Sequence, residues 1–544
     1  MQKQKIRKEK LSIYLARNST DSDSKLIKIN NTKKSISLEL PECESVTLYI
    51  KKDLQLPPPP WTKLFTSFPQ VSPTVFGSSS TVGAVLIIRI KSQTFILAFG
   101  MGFHLIKNEA IERDFGFRVT LNSVDPDYLR SLDKASYDHN PLNSRTQSSK
   151  GVNIFNLNID SELDMLYAIT GNSIVDIFGS HVTGRDALTI VVEEKIEGIP
   201  KILNETILRY KSKLPPKLEW VDNINRIRDK AIIENLDSCL DSQLKNSNFK
   251  ELWLGEPEIV DWETQIGYSF SLNPRSPRPV LLTLNNYINY LKSKQRTLSV
   301  EALKSDSVYI NNSEYQSIKN WSVFRCLYAE LKVNDEQFIL RNGIWYRVDT
   351  DFVKSVNQYI KNELNHYCYT FPKYNHDNEG EYNGSLSKKD SSFVLMDKKN
   401  IQIGGKFDKL EFCDFIRNGS EFIHVKYYRS SNTLSHLFSQ GYVAAEAFVK
   451  DLEFREKLNP KLPTSIQLPD PKKRPNPANY KVVYAIATEK KLPDELPFFS
   501  KVTLKNALKI LLALNYKVEL SQIGVDRNIL IKNKCKSNAK KQIS

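Results

Sequence analysis

LEFCDFIRNGSEFIHVKYYRSSNTLSHLFSQG, residues 410–441, is the stretch whose reading decides how the C-terminal part of the chain is built. A candidate strand has Glu411 and Asp414 at its end. Asn418-Gly419 is a turn signal, and EFIHVKYY (421–428) reads as the second strand of a hairpin. Side chains alternate across a strand, so His424 and Lys426 are placed on one face. Phe422, Ile423 and Val425 are expected to pack mostly elsewhere. From Ser431, a candidate helix cap, Ser435, His436, Ser439, Gln440 and Glu446 punctuate an apolar helical stripe.

A hairpin that carries acids on one strand and a lysine on the next suits phosphodiester hydrolysis. Carboxylates hold Mg²⁺ together with waters. A lysine or the metal orients hydroxide and offsets the charge that develops on phosphorus oxygens. Asp414 and Glu411 are therefore the candidate metal ligands. Lys426 is the candidate catalytic group. His436 and Ser435, with Lys472, Lys473 and Arg474 of a proline-rich loop, are candidate substrate contacts.

Outward from this stretch the chain is long enough for about three domains, with 544 residues, 40% of them hydrophobic and 26% charged. Such a composition excludes a wholly disordered chain, a collagen and a disulfide miniprotein. The apolar runs are too short to span a bilayer, and no apolar segment follows the basic N-terminus, so a cytoplasmic protein without a membrane partner is expected. The six cysteines form no CxxC pair, and reduced, mostly buried thiols are expected. Residues 1–10 carry +4 and residues 531–544 carry +5 of a net +15. A basic chain attracts polyanions, which makes nucleic acid the leading partner class, DNA before RNA.

The expected fold class is α+β, with strand-rich N-terminal (1–190) and mixed middle (191–370) regions, a C-terminal domain (371–530) and a basic tail (531–544). Pro57–Pro60 and Trp61 read as a stiff spacer. VGAVLIIRIKSQTFILAF (82–99) reads as two strands turning at Lys91-Ser92-Gln93. GSHVTGRD (179–186) reads as a turn, with an anion-binding loop as the rival. WSVFRCLYAELKV (321–333), EQFILRNG (336–343) and IWYRV (344–348) read as three strands, before an amphipathic helix over 351–367. The six tryptophans read as core anchors rather than base-stacking platforms.

The acid, turn and lysine of 411–426 resemble the PD-(D/E)xK nucleases. That resemblance implies a restriction-endonuclease-like α/β/α core over the C-terminal domain, and Mg²⁺ or Mn²⁺ as cofactor. Asp414 matches the first acid, Lys426 the lysine and Gln440 the glutamine of the following helix, where it would orient Lys426 or the backbone. The second acid of the pattern, two residues before the lysine, is His424 here, a softer ligand or a general acid/base group. Glu411, three residues before Asp414, is the carboxylate that could move in to replace it. The resemblance also implies an upstream acid on a helix, which Glu379 or Glu381 in NEGEYN could supply, with Glu381 as a further metal ligand.

A wider likeness covers nearly the whole chain. LSIYLAR (11–17), FILAFGMGFHL (95–105), DFGFRVTLNSVD (114–125), ITGNSIVDIFGSHVTGRDAL (169–188), LEWVDNI (218–224), RNGIWYRVDTDFV (341–353), EGEYN (379–383) and LPFFSKVTL (496–504) resemble a bacterial family described only as sporadically distributed and of unknown function. Patchy distribution implies a setting in antiviral or mobile-element defence. The expected activity is a divalent-metal-dependent nuclease. Its rival is a catalytically inactive protein of a defence complex that binds nucleic acid, a protein partner or a second copy of itself.

Overall fold

The computed structural model describes residues 8–52, 55–56, 79–80, 82–136, 142–249, 251–258, 260, 265–273, 275–312, 315–402, 409–429 and 431–531. The protein is mixed α and β, with strand-rich regions. It divides into two compact units, residues up to 135 with 144–221, and residues 136–143 with those from 222 onward. The segment expected as a middle domain therefore contributes to both units. The proline spacer and most of the basic tail lie outside the described residues.

Among the described residues the first unit holds a ten-stranded sheet. Its order is Thr32–Leu38, Ser45–Lys51, Gly83–Ile90, Gln93–Gly100, Glu9–Leu15, Leu188–Val192, His181–Gly184, Asp164–Ser173, Val124–Ser136 and Leu142–Val152. The first eight pair antiparallel. Apolar residues occupy both faces of the central strands, because both faces are covered. Leu86, Ile88 and Ile90 point into one core with Phe115 and Leu203, while Val85 and Ile87 point into another with Leu105 and Ile111. The hairpin turn falls at Lys91-Ser92, both at positive φ (48° and 60°), which is the I′ geometry that matches strand twist. GSHVTGRD is not a free loop. His181–Gly184 is an internal strand, and Arg185 is ion-paired to Asp133.

The second unit carries a five-stranded antiparallel sheet, in the order Ile224–Arg226, Ile344–Val348, Glu336–Arg341, Leu327–Val333 and Leu252–Leu254. The strand expected across 321–333 is interrupted. The Ser322 hydroxyl accepts the Arg325 N–H at 3.3 Å and starts a helical turn, Val323–Cys326. Trp321 and Trp345 are buried anchors, their indoles donating to Glu258 and Asp237. The helix expected over 351–367 runs Thr350–Glu363, capped by Asp349.

The same unit ends in a sheet that positions the candidate site. Its elements are β1 (Asn365–His366), α1 (Glu379–Lys389), β2 (Phe393–Leu395), β3 (Phe415–Arg417), β4 (Glu421–Tyr427), α2 (Ser431–Lys450), β5 (Lys481–Ala487), α3 (Phe498–Ala513) and β6 (Lys517–Ile523). The strand order is β1-β6-β5-β4-β3-β2. β2, β3 and β4 form an antiparallel meander, whereas β4, β5 and β6 are parallel and joined through helices. Helix α1 covers one face, burying Tyr382 and Leu386 with Ile423, Val425 and Val483.

Helices α2 and α3 pack together across the sheet, and the α2 backbone is held by Tyr484 Oη on Phe438 O (3.0 Å) and Tyr516 Oη on Ala445 O (2.9 Å). Gly441 permits this approach, since a Cβ there would stand 2.5 Å from the Tyr484 ring and hydroxyl. Among the described residues no helix is long and apolar enough to cross a membrane. Five cysteines carry free thiols. Cys326 and Cys413 are buried, but Cys368 is exposed, because it leaves β1 in a surface segment. Cys535 lies outside the described residues.

Candidate active site

A hairpin forms with its turn at Asn418-Gly419, both at positive φ, but its first strand is only Phe415–Arg417, so Glu411 and Asp414 precede that strand and do not end one as expected. Asp414 stands just before β3 and is held by its neighbours. Its Oδ2 accepts the Val425 N–H of the adjacent strand at 2.7 Å, and its Oδ1 accepts the Asn383 amide of α1 at 3.0 Å. Loss of water around Asp414 pushes its carboxyl up to about 8. The Val425 amide opposes this, while Glu411, Asp397 and Glu379 add to it.

Glu411 is fixed by the Lys398 N–H (2.7 Å) and reached by Gln440 Nε2 from α2 at 3.5 Å. Gln440 thus orients a carboxylate rather than Lys426. One oxygen from each of Asp397, Glu411 and Asp414 lies within 4.8 Å of the others. These are all hard oxygen donors, the kind Mg²⁺ and Mn²⁺ take. Asn383 is fully buried, and its Oδ1 has no hydrogen-bond partner among the described residues.

Lys426 lies near the end of β4 and pairs with Glu379, at the start of α1, at 2.8 Å. The other Glu379 oxygen accepts the Tyr427 N–H at 3.2 Å. Val425, which holds Asp414, is the residue before Lys426, so the lysine and the carboxylates are tied to one strand end. Of the two upstream acids, Glu379 is engaged with β4. Glu381 is exposed, with its backbone N–H capped by Asn378 at 2.9 Å.

The remaining candidates are dispersed. His424 is buried with its ring 6.0 Å from that of Tyr484, and burial lowers it to about 4, so it is neutral at neutral pH. Phe422 shares the His424 side of β4 and packs on Phe412 and Phe448, contrary to the expected separation, since alternation places 422, 424 and 426 alike. Ser435 is buried and shares a hydrogen bond with Thr503 of α3 at 3.3 Å, so it serves helix packing. His436 is exposed on α2. Lys472 and Lys473 are exposed, and Arg474 donates to Val449 O at 3.1 Å.

Asp397, Asn383 and Gly380 were not singled out by the sequence. Asp397 lies seventeen positions before Asp414, and only sheet pairing brings them together. A Cβ at Gly380 would stand 3.0 Å from Lys398 Nζ and 3.2 Å from Asp397 Oδ2, so the bare first turn of α1 leaves room for both side chains.

No curated protein and no solved structure matches the chain. A family model matches residues 11–524, nearly the full length. The chain therefore belongs to a family of unknown function, DUF6119.

Proposed function

We propose that the protein is a divalent-metal-dependent nuclease, DNA favoured as substrate, with its centre at Asp414, Glu411 and Lys426. The observation that carries this reading is the convergence of carboxylates within 4.8 Å beside the strand end that bears Lys426. The order of elements adds support, because an antiparallel hairpin, a helix and a parallel strand follow one another as in a restriction-endonuclease-like core. The net charge of +15 suits a polyanionic substrate.

Asp414 and Glu411 would hold Mg²⁺ or Mn²⁺, which when bound acidifies the attacking water and offsets phosphoryl charge. Lys426 supplies a positive charge to the scissile phosphate once it exchanges Glu379 for substrate. Gln440 keeps Glu411 in place.

The test is nicking of plasmid and single-stranded DNA by the full chain with Mg²⁺ or Mn²⁺, beside Asp414→Ala and Lys426→Ala. Metal-dependent cleavage lost in both variants supports the reading. A second reading, a cleft that binds without cutting, draws on the engagement of Lys426 by Glu379. Salt-sensitive DNA binding with no cleavage in Mn²⁺ favours it.

A further inference from the structure

We propose that Asp397 is the third carboxylate ligand of this centre, standing in for the acid that His424 replaces two residues before Lys426. The assignment rests on the reading of Asp414 and Glu411 as a divalent-cation site.

Glu411 is already a ligand and Glu379 is engaged by Lys426, and the geometry disfavours His424 and Glu381 for a third. His424 is buried toward Tyr484 and offers an imidazole where a hard cation takes oxygen. Glu381 is exposed at the first turn of α1. Asp397 is held against the centre by the backbone instead. Just past β2, the N–H groups of Met396 and Asp397 both donate to Asp414 O, at 2.8 and 3.1 Å. The same turn places Lys398 at φ 63°, an uncommon conformation for a lysine, and aims its N–H at Glu411. One turn thus fixes the Asp397 backbone beside Asp414 and anchors the Glu411 carboxylate.

A cluster of acids alone would not mark a site. Here a fully buried amide stands against it. Asn383 holds Asp414 through Nδ2, and its Oδ1 is left without a partner among the described residues. A buried amide oxygen calls for a donor, which a water or a hydrated cation held beside Asp414 would supply. Gly380 adds the space, since a Cβ there would stand 3.0 Å from Lys398 Nζ and 3.2 Å from Asp397 Oδ2. In an octahedral Mg²⁺ site at least two of the three carboxylate pairs are adjacent, ~3.0 Å apart, so the three oxygens, now within 4.8 Å of one another, would draw in around the ion.

The measurement is Mn²⁺ binding to the full chain, read as loss of the free-ion EPR signal. It compares wild type, Asp397→Asn, Asp414→Asn and Glu381→Gln, each checked for a native melting transition. Asp397→Asn and Asp414→Asn should each weaken Mn²⁺ at least tenfold, with Glu381→Gln within twofold of wild type. Asp397→Cys should bind Cd²⁺ more tightly than wild type does, a gain that misfolding does not produce.

Wild-type affinity in Asp397→Asn together with loss in Asp414→Asn overturns the assignment and leaves the nuclease reading intact. Mn²⁺ binding that needs Asp397, in a protein that cuts no nucleic acid, supports the assignment and removes the nuclease reading. No Mn²⁺ binding by wild type at millimolar ion overturns both.

Discussion

Glu379 bridges two consecutive residues of β4, accepting Lys426 Nζ on one oxygen and the Tyr427 N–H on the other. The start of α1 is thereby fastened to the strand end where the carboxylates gather. Both partners of the ion pair are about a quarter exposed, so the pair contributes on the order of 1 kcal/mol. Glu379→Gln keeps the bond to Tyr427 and loses the charge. It should lower the melting temperature by a few degrees and leave Mn²⁺ affinity within about threefold, as calorimetry and EPR would read.

Lys426→Met retains the aliphatic stem and removes the charge. If Lys426 meets the phosphate, cleavage should fall by about 10² or more while Mn²⁺ affinity holds or rises, since a neighbouring cation is gone. Equal loss of metal binding and cleavage would place Lys426 in a structural role instead.

The dependence of stability on pH follows from Asp414, Glu330 and His424. Asp414 is pushed up to about 8 from an ordinary value of 3.8. Glu330 is pushed up to about 8 from 4.5, chiefly by burial and then by Glu251. Raised acids bind protons in the folded state that the unfolded chain has released, so each group lowers stability as pH rises from about 4 to about 8. His424, lowered to about 4, acts oppositely, but only below its unfolded value of 6.5. The window from 6.5 to 8 therefore isolates the acids. Metal-free protein should lose stability across it, by no more than ~1.4 kcal/mol per pH unit for each acid. Asp414→Asn and Glu330→Gln should each flatten the slope in denaturant melts at pH 6.5 and 8.

Gly441→Ala tests how tightly α2 sits on the sheet. The new methyl would meet the Tyr484 ring and hydroxyl at 2.5 Å, so the helix must lift or the tyrosine must turn. A loss of about 1–3 kcal/mol in urea unfolding is expected. An unchanged midpoint would mean that α2 rides further from β5.

In the first unit, Lys91-Ser92 occupies a turn that demands positive φ at both residues. Replacing the pair with Asn-Gly should stabilise the protein by about 0.5–1 kcal/mol, read as a higher melting temperature.

Local chemistry made the hairpin of 410–428, the α2 helix and the strand pair around Lys91-Ser92 legible in the sequence. Turn residues, alternation and helical periodicity act over a few positions, and each is written in contiguous residues. The wide antiparallel sheet was harder to foresee. Glu9–Leu15 pairs with Leu188–Val192, and nothing in either strand names the other. The helical turn at Val323–Cys326 depended on a single serine hydroxyl, which strand propensity outweighs in a linear reading.

For the site, the sequence by itself determined which residues could do acid and cation chemistry on adjacent strands, namely Asp414, Glu411 and Lys426. Only the tertiary structure decided the rest. It turned Ser435 inward to Thr503, sent Gln440 to Glu411 and chose Glu379 over Glu381 for contact with Lys426. It also drew Asp397 to Asp414 through backbone hydrogen bonds across β2 and β3. The physical reason is that side-chain identity is local, whereas the convergence of charges depends on strand register and helix placement. Both are set by burying apolar faces of segments far apart in the chain.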